Sequence, residues 1–175
     1  MQFKTYFDSP VGKLLISSDG EYLTGLWIEK QKYYAKGLAQ DAQRRDELEI
    51  FQQVKAGLSA YFAGEESDLC KLPLRLCGSP FQQKVWNILR EIPYGKTMTY
   101  AEIAKRVAKM EEKPSMSAQA IGGAVGRNPI SIVIPCHRVV ASNGSLTGYA
   151  GGIDTKIRLL ELEQTDMTGL FNPQK

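Results

Sequence analysis

Two capping boxes fix where the second half of this chain must begin its helices. Ser79-Pro80-Phe81-Gln82 has a serine cap, proline at the first helical position and glutamine at the third; Thr99-Tyr100-Ala101-Glu102 repeats the arrangement with threonine and glutamate. In such a box the cap side chain accepts from the third backbone N–H while the third side chain reaches back to the cap N–H. Two donors that every helix start leaves open are thereby satisfied. Phe81, Val85, Ile88 and Leu89 then form one apolar stripe, ended by Pro93 and Gly95, and Ile103, Ala104 and Val107 follow the second box. Ser117 caps a third helix to about Val125, with Gly126 after it. Two short helices in succession, the second made of small residues, read as a helix-turn-helix variant. Their connection, residues 109–117, exceeds the usual turn of about 3–4 residues.

Upstream of Gly78 the pattern is that of short strands. Residues 3–7, 13–17 and 22–29 are apolar, β-branched or aromatic runs separated by Ser9-Pro10-Val11-Gly12 and Asp19-Gly20. A polar stretch, 40–49, leads into a helix with Leu48, Phe51, Val54, Leu58 and Tyr61 at helical spacing, closed by Gly64. Residues 72–77 read as a further strand. A short apolar segment, 130–140, a Gly-rich loop, 144–152, and a helix over 154–163 complete the chain. The expectation is an α+β protein: an N-terminal α/β domain (1–77) of β-hairpin-rich sheet plus helix, a mostly helical C-terminal domain (78–167) and a flexible tail (168–175).

Composition narrows the function classes. With 43% apolar and 23% charged residues the chain has ordinary globular values and can bury a core. Its apolar runs fall far short of the roughly 20 residues a spanning helix needs, and the N-terminus lacks signal-peptide character. A soluble protein of the cell interior is expected, cytoplasmic, or nuclear in a eukaryote. A net charge of +3 permits phosphate contact without demanding it. Three cysteines and one histidine leave too few ligands for a structural zinc site, so no metal is expected.

The segment richest in chemistry is Pro135-Cys136-His137-Arg138, where a cysteine adjoins the only histidine in the chain. A free thiol near pKa 8.5 is only slightly ionised at neutral pH; an imidazole can take its proton, and a carboxylate can orient the imidazole. Residue chemistry alone leaves two readings open, a reactive Cys136 or a buried core thiol beside a satisfied histidine. Cys70 and Cys77 have no base beside them and read as inert structural thiols. On the last helix, with Ile153, Ile157, Leu159 and Leu160 facing inward, Glu163 falls roughly 55° from the centre of that face and Glu161 roughly 105°. Glu163 is the better buried acceptor; the alternative is that it borders solvent at a frayed end. Gly122 and Gly123 inside a helix each cost about 1 kcal/mol against alanine. Either tight internal packing or close approach to a partner such as a nucleic-acid groove compensates.

The stretch Ile134-Pro-Cys-His-Arg-Val139 resembles the signature of the O6-alkylguanine-DNA alkyltransferases. The resemblance runs in order from Ser79 to Glu163 through Pro93-Tyr-Gly95, Thr99-Tyr100, Ile121-Gly-Gly-Ala-Val125, Asn128-Pro129 and Thr147-Gly-Tyr-Ala-Gly-Gly152. It implies that Cys136 accepts the alkyl group, that His137 takes the thiol proton through a water, and that Glu163 orients His137. Asn128 would brace the turn before the active-site strand, and Tyr100 would donate to the leaving purine. The Val139 carbonyl would receive the exocyclic amine, with Tyr149 and Ala150 as wall and lid. Gln119, Ala120, Gly123 and Arg127 would face DNA. The implied partner is double-stranded DNA carrying O6-alkylguanine, bound by a monomer without cofactor or membrane, with the lesion rotated out of the stack. Gln119 stands where many members carry arginine, so the rotated base would be replaced without a charge; Ala150 replaces the serine of some members, and the N-terminal zinc ligands of some relatives are missing. Two other functions fit parts of the pattern. A non-catalytic sensor of alkylated DNA would lack the acceptor cysteine, and a thiol hydrolase or redox regulator would turn over or form a reversible disulfide.

Overall fold

The computed structural model describes residues 1–175. It is α+β, with its chain grouped into two compact units: residues 1–77 with 129–133, and residues 78–128 with 134–175. The segment 129–133, read from the sequence as part of the C-terminal domain, groups with the first unit.

In the first unit, strands β1 (Phe3–Ser9), β2 (Gly12–Ser18) and β3 (Leu23–Ile28) form an antiparallel meander, and a two-residue strand, β4 (Gln43–Arg44), adds in parallel to β1. Leu14, Ile16, Leu23 and Leu26 have no exposed surface, and helix α1 (Glu49–Phe62) buries Phe51, Val54 and Leu58 completely. Residues 72–77 do not form the expected strand. Their contact with the sheet is one bridge, Leu74 to Leu23; Pro73 has no N–H to extend a ladder and only its carbonyl is used, accepting from Leu23. Leu26 donates to the Pro129 carbonyl and accepts from Ser131 N–H, which ties 129–133 to β3.

In the second unit, α2 (Pro80–Leu89) and α3 (Tyr100–Met110) both begin with complete capping boxes. Ser79 Oγ accepts from Gln82 N–H at 3.1 Å, and Thr99 Oγ1 from Glu102 N–H at 3.1 Å, each with the reciprocal bond. Helix α4 (Ala118–Gly126) is capped by Ser117 and packs against α2 and α3. Trp86 anchors it, donating its indole N–H to the Ala124 carbonyl at 2.8 Å. Strands β5 (Met98–Thr99) and β6 (Val139–Val140) pair in parallel, and α5 (Ile153–Leu162) follows the Gly-rich loop. The apolar segment before Cys136 is a series of tight turns with Ile132 at φ 72°, not a strand. The tail is paired rather than loose as far as Phe171: that residue donates to Gly144 and accepts from Leu146, while Met167 and Leu170 pack on Val140, Leu146 and Leu160. No helix is long and apolar enough to cross a membrane.

Candidate active site

All the residues singled out as chemical lie in the second unit. The β5–β6 register sets Met98 opposite Val139 and Thr99 opposite Val140. Tyr100, the first residue of α3, is thus held near the chain that has just left Cys136 and His137. Those two residues occupy a single 3₁₀ turn, Cys136–Arg138. Asn128 fixes its entry: the side-chain amide donates to the Ile134 carbonyl at 2.7 Å and also hydrogen-bonds the Cys136 sulfur.

The turn is dry. Cys136 is 5% exposed, His137 0% and Glu163 1%. Glu163 Oε2 lies 2.6 Å from His137 Nε2. A carboxylate only accepts, so Nε2 carries the hydrogen and the Nδ1 lone pair is the basic position. Nδ1 is buried with no protein partner. The other carboxylate oxygen accepts from Arg138 Nε at 2.7 Å, and Arg138 Nη1 donates to the Ile92 carbonyl.

These contacts act on the protonation states at rest. Burial works to raise Glu163, but the hydrogen bonds and charges of His137 and Arg138 outweigh it and hold the carboxyl down to about 2. Burial lowers the His137 pKa; Glu163 opposes that shift and Arg138 adds to it, so the imidazole is neutral at pH 7. The Cys136 thiol is pushed up by burial, against the hydrogen bond from Asn128 and the charge of Lys156. A thiol that is reluctant to ionise and a neutral imidazole with one free lone pair are in the protonation states that proton transfer from one to the other would require.

A second cluster borders the thiol. Lys156 is completely buried, its Nζ donating to the Val139 carbonyl at 2.5 Å and to the Thr147 carbonyl at 3.4 Å. Burial lowers its pKa to about 8. The Tyr100 hydroxyl donates to the same Thr147 carbonyl at 3.4 Å, and burial together with Cys136 raises its pKa to about 12. The Tyr149 hydroxyl is buried without a protein partner. Gly148 sits at φ 90°, and a Cβ there would come within 2.7 Å of the Tyr100 hydroxyl. Gly148→Ala therefore both strains the loop and displaces Tyr100. We expect reaction at Cys136 to slow roughly 10²-fold, as for a misplacement of about an ångström; single-turnover kinetics of the purified variant would measure it.

Helix α4 carries the other candidate surface. Gln119, Ala120, Gly123 and Arg127 are exposed along it. A Cβ built at Gly122, Gly123 or Gly126 would meet nothing within 4 Å. Internal packing therefore does not require these glycines.

Comparison with known proteins accords with this geometry. The family model described as 6-O-methylguanine DNA methyltransferase, DNA binding domain, matches residues 80–165, and that of the same family's ribonuclease-like domain matches residues 3–76. The chain belongs to the 6-O-methylguanine DNA methyltransferase family. It is 44% identical over 162 residues to the methylated-DNA–protein-cysteine methyltransferase of Haemophilus influenzae, covering 93% of this chain and 86% of that one. The Methanosarcina acetivorans protein of the same name is 43% identical, covering 90% and 95%. Among solved structures, the O6-methylguanine methyltransferase of Mycobacterium tuberculosis is similar with a TM-score of 0.79 at 41% identity, covering 96% of this chain and 98% of that one. A structure of M. tuberculosis OGT in complex with DNA also has a TM-score of 0.79, at 39% identity and 97% and 99% coverage.

Against this methyltransferase frame, the sequence reading missed Lys156 and the destination of Arg138. Lys156 was detectable: it lies three residues after Ile153 and four before Leu160, on the apolar stripe of α5. Arg138 gives no such signal, because only the fold brings it to Glu163. Cys70 and Cys77 are exposed free thiols, not the structural thiols expected from the sequence; Cys70 lies in a short 3₁₀ turn, Leu69–Lys71, and Cys77 beyond the single bridge at Leu74. No group of three or more His, Cys, Asp or Glu side chains is placed to hold a metal ion.

Proposed function

We propose that this methyltransferase binds duplex DNA through α4, rotates an O6-alkylguanine out of the stack, and takes the alkyl group irreversibly onto Cys136. The observation that carries the reading is the buried Cys136-His137 turn, with Glu163 on Nε2 and the basic Nδ1 left without a protein partner.

The thiol proton passes to His137 Nδ1 through one water, and the imidazolium that forms is stabilised by Glu163. The thiolate attacks the alkyl carbon. The S–C bond forms, the C–O6 bond breaks, and its electron pair stays on the purine, whose negative charge Tyr100 stabilises by donating a hydrogen bond; the purine then takes a proton from solvent and the His137 imidazolium returns its own to solvent. Tyr100, held protonated to about pH 12, is a donor throughout the neutral range. Lys156 occupies one lone pair of the Val139 carbonyl, and the second is available to the exocyclic amine of guanine. Tyr149 and Ala150 close the base pocket. The thioether has no leaving group that water can displace, so one protein serves one lesion. Three free thiols, two of them exposed, favour the reducing cytoplasm as its compartment.

The open face of α4 supports approach to a groove without base reading, since small residues admit the backbone and carry no long side chains to the base edges. Gly123→Ala should raise the melting temperature, by about 0.5–1 kcal/mol of helix propensity. Gly123→Asp should weaken duplex binding roughly tenfold or more through repulsion by phosphate. Equal duplex affinity for wild type and Gly123→Asp would remove α4 from the interface. The whole reading is tested by titrating protein into a fixed amount of lesion duplex. Lesions repaired should plateau at one per protein molecule; continued turnover would overturn it.

A further inference from the structure

The connection between α3 and α4 is longer than a helix-turn-helix needs, and the function just proposed gives the extra residues no task. After α3, Glu112 takes a left-handed conformation at φ 54° and Lys113 N–H returns to the Ala108 carbonyl at 2.9 Å. The chain then runs through Pro114 and Met116 back to Ala118, leaving an open groove of ≈ 640 Å³ against α3. Its floor is small, with Ala104 and Ala108 among the lining residues, and its rim carries Lys105, Lys109 and Lys113. Lys113 is engaged with Glu111 at 3.2 Å, a carboxylate that Lys84 also approaches at 3.4 Å. Lys105 and Lys109 are exposed, one helical turn apart, and form no ion pair. Glu102, on the same helix, is committed to the Thr99 cap.

We propose that this groove is a phosphate-backbone site. One DNA strand lies along α3 with its phosphates on Lys105 and Lys109, beside the groove of the duplex that α4 enters. The proposal rests on the reading of α4 as the DNA-facing helix, since in helix-turn-helix proteins the first helix crosses the backbone while the second enters a groove. Charge complementarity selects a phosphate strand over an apolar or acidic-poor partner. The alanine floor lets the strand approach closely, and Ala118 makes the groove continuous with the first turn of α4. The contact is independent of sequence and lesion, the property required of the search for a rare damaged base, and its contribution is released by salt.

The test is binding of an undamaged, fluorescently labelled duplex at roughly 50 to 200 mM salt, for wild type, Lys105→Ala/Lys109→Ala and Gly123→Asp. The double variant should lower the slope of log K against log salt by about 1.8, roughly 0.9 per phosphate contact, with transfer to Cys136 at saturating lesion DNA unchanged. Both side chains are exposed, and an unchanged melting temperature confirms the fold. An unchanged slope alongside weakened binding by Gly123→Asp overturns the groove and leaves α4 as the DNA face. If neither variant alters binding, both readings fall.

Discussion

Cys136→Ala should abolish alkyl transfer completely while leaving affinity for the lesion duplex within a few-fold of wild type. The acceptor is a single atom: Cys70 and Cys77 are exposed and lie in the other unit, with no imidazole adjoining them in sequence. The replacement removes one buried sulfur, a loss of about 1 kcal/mol of packing, too little to unfold a domain. Loss of transfer therefore reports chemistry, not folding. Transfer from a tritiated methyl duplex, scored beside binding of the same duplex, reads both quantities in one preparation. Residual transfer in the variant would place the acceptor elsewhere.

The second large effect belongs to Glu163. Glu163→Gln keeps shape and an acceptor oxygen but removes the charge that, on the proposed mechanism, stabilises the His137 imidazolium. The single-turnover rate should fall by about 10²–10⁴, the range of a general base deprived of its function. Stability carries a pH signature as well. The folded pKa of Glu163, about 2, lies below its ordinary 4.5, so its contribution is present above pH 4.5 and lost as pH falls toward 2. His137, lowered from 6.5 by burial, acts in the same direction, its contribution declining as pH falls below 6.5. Wild-type melting temperature should therefore fall on acidification, and between pH 4.5 and 2 it should fall less steeply in Glu163→Gln. A purely structural role for Glu163 would lower stability and leave the pH profile of transfer unmoved. An orienting role shifts that profile, because the imidazole loses its anionic partner.

Much of this site is legible in the sequence because its parts are local. The Cys-His dipeptide is contiguous, both helix starts are announced by their caps, and the inward angle of Glu163 follows from helix geometry. Glu163 stands just beyond α5, yet Leu159 and Leu160 draw the last turn inward with it. What escaped is set by contacts between distant segments. Arg138 finds Glu163 only because α5 returns to the 3₁₀ turn. Lys156 was passed over because a lysine is taken for an exterior residue; the carbonyls of Val139 and Thr147, which satisfy its ammonium, come from loop geometry that no periodicity encodes. The Leu72-Pro73 run has strand composition, but a proline without a donor and a lone bridge to Leu23 end it as a strand. The α4 glycines posed an ambiguity that sequence could not resolve, internal packing or an external partner, and the empty space around their missing Cβ atoms favours the partner.

The most direct measurement is the intact mass of the protein after incubation with excess duplex bearing one O6-methylguanine, followed by peptide mapping. Irreversible self-alkylation requires a gain of one methyl per chain and no more, confined to the peptide containing Cys136 and stable on prolonged incubation. An unchanged mass while the lesion disappears, or a methyl on any other residue, would contradict it.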